Sequence, residues 1–174
     1  MLPTQFPFYT ERYYSKYRTT NMKKTPDNNY CVMLHSNGLA MLCVDPTHAI
    51  CKSGPGCAVS YTTPGPNPED RLAQSHDVSG KKKRGALRCG DGTILGTITA
   101  GGGGVVYPIP ACVNGTLIEL NVQLLTNPMW IVTEPFARGY IAVLNVPKDF
   151  PSKLPPAWIL TGPRVVTDEV VDDD

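Results

Sequence analysis

The sequence predicts a mostly-β domain, a small barrel or sandwich, and three observations carry that expectation. Its 174 residues include 16 glycines and 17 prolines. Together these are roughly a fifth of the chain, against about 12% in average usage, a density of helix breakers that excludes a helical bundle or coiled coil. Short apolar runs recur at roughly ten-residue spacing between turn signals such as Asn-Gly and Gly-Asp-Gly. A hydrophobic fraction of 41% excludes a wholly disordered chain, and the lack of Gly-X-Y triplets excludes collagen. The length suits one domain around one core.

Residues 1–29 read as an N-terminal arm. Tyr9, Tyr13 and Tyr17 recur at helical spacing with Arg12, Lys16 and Arg18 between and beside them, so a short amphipathic helix would gather the tyrosines on one face. That face either packs on the domain or serves as an aromatic and basic docking arm. Residues 30–150 hold the domain. Tyr30–His35 and Leu39–Val44 form a β-hairpin about Asn37-Gly38. Cys57–Tyr61 is a short strand followed by a proline-rich loop to Asp70. The next segment carries a basic cluster and ends in the turn Cys89–Gly92. Thr93–Ala100 is a strand interrupted by Gly101–Gly104, and Val105–Val113 pairs with Thr116–Asn121 across Asn114-Gly115. Asn121 caps one or two helical turns that stop at Pro128. Met129–Pro135 and Gly139–Pro147 supply the last two strands. Residues 151–174 form a tail, first proline-rich and then acidic.

The net charge of +1 hides an asymmetry: Lys81, Lys82, Lys83 and Arg84 are consecutive, while Asp168, Glu169, Asp172, Asp173 and Asp174 close the chain. Such a balance does not point to nucleic acid over the whole surface; it points to one basic spot and one acidic tail. Four consecutive cations must be displayed to solvent. They form a solvated loop or nuclear-localisation patch, or they contact an acidic protein surface or a phosphate backbone. No aromatic residue stands beside them to stack on bases.

Catalytic and metal chemistry finds no motif. His35, His48 and His76 lie at no ligand spacing, and no nucleophile elbow, phosphate loop or H-E-x-x-H occurs. The six cysteines, Cys31, Cys43, Cys51, Cys57, Cys89 and Cys112, never form a C-x-x-C pair, which argues against zinc and for buried thiols in a reducing compartment. Gly101–Gly104 precede a strand, not a helix, so a flexible hairpin tip is expected there instead of a phosphate cradle. The N-terminus lacks the pattern of a secretory signal, and no apolar run is long enough to span a membrane.

Several segments together resemble the Simiate/Abitram family, named for actin binding and transcription modulation. They are VSGKKKRGA (Val78 to Ala86), CGDGT, CVNGTLIELN and GYIAVLNVP, preceded by ERYYSKY and LHSNGLAMLCV, and they span residues 10–150. The glycine run, the loop 54–70 and the tail are the divergent parts. The family is similar in turn to the glycine-cleavage H-protein and to lipoyl and biotinyl carriers. That resemblance implies a barrel-sandwich hybrid with short helices and extended arms. The carrier's lysine position falls at about Gly104, and no lysine stands between Arg88 and Lys148. The expectation is therefore a carrier fold with no prosthetic group, no cofactor and no enzymatic activity. The resemblance implies a protein-interaction module of the nucleus and cytoplasm with actin as partner, to which we assign Lys81, Lys82, Lys83, Arg84, Tyr9, Tyr13 and Tyr17 as contacts. The alternatives are an accessory subunit of a large assembly, its two ends wrapped on partner proteins, and a nucleic-acid contact through the basic loop.

Overall fold

Local signals decide the first hairpin. In the computed structural model, which describes residues 13–76, 86–102, 104–147, 149–150 and the backbone of 159–160, β2 (Tyr30–His35) and β3 (Leu39–Val44) pair antiparallel with Cys31 opposite Cys43 and Met33 opposite Met41. The Gly38 N–H closes the turn on the His35 carbonyl at 3.0 Å. Alternation then sorts the side chains: Tyr30, Val32, Leu34, Ala40, Leu42 and Val44 enter the main core, while Cys31, Met33 and Cys43 face the other way.

The expected helix does not reach Tyr17: Tyr13 is helical, Tyr9 lies outside the described residues, and from Tyr14 the chain is a strand. In β1 (Tyr14–Thr19), Ser15, Tyr17 and Thr19 are buried, Tyr14, Lys16 and Arg18 half-buried, and the whole strand pairs antiparallel with β2. Period-two burial and an open edge on β2 outweigh the four-residue spacing of the tyrosines, because a short isolated helix gains little by itself. Residues 14–29 are thus part of the folded body and not an arm. The two-residue β10 (Ile159–Leu160) pairs with β1 on its other side, so part of the expected tail returns to this sheet.

Six further strands complete the fold: β4 (Cys57–Ser60), β5 (Arg88–Cys89), β6 (Ile94–Ala100), β7 (Val106–Pro110), β8 (Gly115–Leu120) and β9 (Ala142–Asn145). A seven-stranded sheet runs β10-β1-β2-β3-β9-β8-β5, and a three-stranded sheet runs β4-β6-β7. The core lies between them, where Leu42, Ile141 and Leu144 meet Val59, Ile98, Tyr107 and Ile109. The fold is a mostly-β barrel-sandwich hybrid with few short helices: α1 (Arg71–His76), α2 (Trp130–Thr133) and 3-10 turns at Met22–Lys24, Ala49–Lys52 and Val122–Leu125.

Two expected elements differ. β7 does not pair with β8; it pairs with β6 across the glycine run, while β8 joins β5 and β9 in the other sheet. The buried residues Ala111, Cys112 and Val113 carry the chain from one sheet to the other, a change of layer that the Asn114-Gly115 turn signal does not reveal. Met129–Pro135 gives α2 and not a strand, since an apolar run of this length suits either state until packing decides. Ile131 is fully buried there. The Asn121 cap forms as expected: its side-chain oxygen accepts the Gln123 N–H at 3.2 Å and heads the 3-10 turn Val122–Leu125.

A polar knot joins the sheets. His48, fully buried, lies edge-on between Tyr30 and Tyr107, with ring centroids at 5.3 and 5.1 Å. Its Nδ1 accepts the Ile50 N–H at 2.9 Å, which leaves Nε2–H to donate to Asn28 Oδ1 at 2.9 Å. The Asn28 amide nitrogen donates in turn to the Met22 carbonyl at 3.1 Å and the Pro108 carbonyl at 3.0 Å. His48 is thus a hydrogen-bonded structural residue.

Candidate functional site

The outer side of the seven-stranded sheet is where the strand register gathers aromatic, cationic and sulfur side chains. Tyr14, Lys16 and Arg18 project there from β1, Cys31, Met33 and His35 from β2, and Met41 and Cys43 from β3. Cys31, Met33 and Cys43 form a small second core, packed under Tyr14, Met41, Phe136 and Tyr140. A sheet face that would otherwise be wet is therefore sealed.

The loop after α2 forms the lid of this second core, and its path is fixed by four devices. At Gly139 an added Cβ would fall 2.0 Å from the Trp130 carbonyl oxygen, so only glycine lets the chain pass so close. The buried Asn121 amide donates to the Arg138 and Tyr140 carbonyls, both at 2.8 Å. Arg138 stacks over Trp130 at 4.4 Å and pairs with Glu134, its Nε donating at 2.7 Å. The Tyr140 hydroxyl donates to the Glu119 carboxylate.

Charge rims the sealed layer. The Lys16 ammonium lies 4.6 Å from the Phe136 ring centre. Arg18 Nε donates to Asp45 Oδ2 at 2.8 Å, and Asp45 Oδ1 also accepts from the Thr47 N–H at 2.9 Å and hydroxyl at 2.6 Å. Tyr13, 43% exposed, stacks on His35 with centroids 6.4 Å apart, and Tyr14 meets the same imidazole edge-on at 5.1 Å.

Burial dominates the electrostatics. It pushes the Cys31 thiol up to about 12, helped by Asp45 and opposed by Lys16 and Arg18. It raises Cys43 well above the ordinary thiol value, pushes Cys112 up to about 12, and raises Cys51, Cys57 and Cys89. Tyr140 is pushed up to about 12, first by burial and then by its bond to Glu119. His48 is held down at about 4 by burial, with Asp45 and Asp27 opposing. Each of these groups is moved toward its neutral form.

Of the residues singled out from the sequence, Tyr13 lies on this face. Tyr17 does not: it is fully buried in the main core, where it cannot contact a partner. Tyr9, Lys81, Lys82, Lys83 and Arg84 lie outside the described residues. Gly104, at the carrier-lysine position, sits in the β6–β7 connection with φ +66° and open space around an added Cβ. A side chain would fit there sterically, but the left-handed backbone disfavours one. Sequence reasoning missed Tyr14, His35 as a stacking partner, Phe136 and the sulfur cluster, although period-two alternation in 30–44 carried a signal for the last. Among the described residues no three His, Cys, Asp or Glu side chains group as metal ligands, and no helix is long and apolar enough to cross a membrane.

Fold and face together define a mostly-β barrel-sandwich protein with a second, aromatic-roofed core. No protein-family model matches the chain. It is 31% identical over 150 residues to Protein Abitram of Xenopus tropicalis, covering 86% of this chain and 79% of the relative. Protein Abitram of Gallus gallus is 32% identical over 150 residues (86% and 84%), and that of Dictyostelium discoideum 31% over 138 residues (78% and 73%). The chain belongs to the Abitram family. Among solved structures it is similar to a glycine cleavage system H protein from Mycobacterium marinum, with a TM-score of 0.46 and 12% identity over 75% of this chain and 83% of that one.

Proposed function

We propose that this protein is a non-enzymatic protein-interaction module of the reducing compartments, nucleus and cytoplasm, and that its partner is an acidic protein surface, with actin as the first candidate. The observation that carries the reading is the β1 face, where exposed Tyr13 stacks on His35 beside Lys16 and Arg18, over a sealed layer. An aromatic anchor beside cations suits a protein contact. The direction of the pKa shifts speaks against a cysteine nucleophile: an activated thiol needs a lowered value, and burial raises all six cysteines. All six are free thiols, which supports a reducing compartment. The consecutive cations Lys81, Lys82, Lys83 and Arg84 add the steering charge.

Cosedimentation with filamentous actin tests the proposal. Wild-type protein is expected in the pellet, and the variant with all four of these cations changed to glutamate in the supernatant. Equal pelleting of both, or no pelleting of either, sinks the actin assignment.

A further inference from the structure

Four sulfur side chains meet on the outer side of the β2–β3 hairpin. The register sets Cys31 opposite Cys43 and Met33 opposite Met41, and alternate positions on both strands share one face. Cys43 Sγ lies 3.9 Å from Met33 Sδ. Cys31, Met33 and Cys43 are no more than 1% exposed, while Met41 is half-buried and packs against them. Opposed residues on antiparallel strands hold their Cβ atoms about 5 Å apart, close enough for both thiols to turn onto one small ion. Metal–thiolate bonds of about 2.3 Å put three trigonal sulfurs about 4 Å apart. The Cys43–Met33 spacing already matches that requirement.

We propose that Cys31, Cys43 and Met33 bind one soft monovalent cation, Cu(I), with Met41 as the sulfur through which it enters. The donor set makes the choice. Thiolate with thioether suits Cu(I), whereas zinc takes four thiolate, imidazole or carboxylate ligands and calcium or magnesium takes oxygen. On loading, the two S–H bonds break, two Cu–S(thiolate) bonds and one Cu–S(thioether) bond form, and both protons pass to solvent. Copper stays in the +1 state, so no oxidant or reductant is needed.

The surroundings fit the loaded site. A bis-thiolate Cu(I) centre carries one net negative charge. Burial is the largest influence and holds both thiols protonated, so the Cu–S bonds must offset that cost. Lys16 favours the ionised form of both thiols and Arg18 that of Cys31, while Asp45 opposes at Cys31 but is held by Arg18 and Thr47. Tyr14, Phe136 and Tyr140 roof the cluster and keep water away. Because two protons are released, affinity falls steeply as pH drops.

The test titrates the full chain, reduced and under argon, with Cu(I) supplied as its acetonitrile complex in competition with bicinchoninate. One equivalent is expected to bind, with X-ray absorption giving sulfur as the only neighbour. Met33→Leu, close in volume, should weaken binding about 10- to 100-fold while keeping the wild-type unfolding midpoint within error. Cys43→Ser should remove tight binding. The double variant Cys51→Ser/Cys57→Ser, altered only at the two half-buried thiols elsewhere, should bind as wild type. Wild-type affinity in Met33→Leu, loss of binding in the double variant, or nitrogen or oxygen in the copper shell would each overturn the assignment. Should Cys43→Ser fail to fold, Met33→Leu decides.

Discussion

His48 makes stability depend on pH in a way that can be calculated in advance. Its ring is fully buried, accepts a hydrogen bond from the Ile50 N–H and donates one to Asn28, so only the neutral form fits. Protonating Nδ1 would set an N–H against the Ile50 N–H. The folded-state value is about 4, against 6.5 for a free histidine. With the folded value depressed, the unfolded chain binds more protons between these two pH values, so stability is fully present above pH 6.5 and is lost as pH falls toward 4. A gap of about 2.5 units at 1.36 kcal/mol each makes the loss about 3 kcal/mol. Asp45 and Asp27 face the ring and act against the shift. The assay is urea unfolding followed by tryptophan fluorescence from pH 7 to pH 4, for wild type and His48→Gln. The variant starts less stable because it loses the imidazole's packing. Wild type should then lose about 3 kcal/mol more than the variant across the window. Parallel curves for the two proteins, or an NMR titration of the His48 ring near its free value, would refute the reasoning.

Tyr17 and Tyr13 separate core from surface. Tyr17→Ala should cost about 3–5 kcal/mol in denaturant unfolding, whereas Tyr13→Ala should stay within about 0.5 kcal/mol, because the first is fully buried and the second 43% exposed. Asn121→Ala should cost about 2–3 kcal/mol, since it removes the cap on Gln123 and both amide bonds to the lid loop. Faster hydrogen exchange at the Gln123 amide should accompany that loss.

How far the fold was legible follows from how local its signals are. The hairpin 30–44 could be read because a turn dipeptide and period-two alternation lie within fifteen residues of each other. The Asn121 cap could be read because its partner, the Gln123 N–H, is two residues away. β1 misled because its tyrosines also fit a helix, and the edge of β2 that settles the matter lies beyond a turn. The pairing of β7 misled because Asn114-Gly115 marks a bend without saying which sheet the chain enters next. For the candidate face, Tyr13 was visible in the sequence. Phe136 was not, since Gly139 and Asn121 bring it over β1 from more than a hundred residues away.

The sequence by itself determined a mostly-β domain rich in turns, its family, and the lack of a lysine where a carrier would hold one. These rest on composition, on breaker residues and on contiguous motifs, all written along the chain. Only the tertiary structure decided that Tyr17 is core, that the cysteines of one hairpin stand opposite each other beside two methionines, and that a distant loop roofs them. Strand register and the packing of one layer on another depend on residues far apart in sequence, where the energy of a contact belongs to neither partner alone.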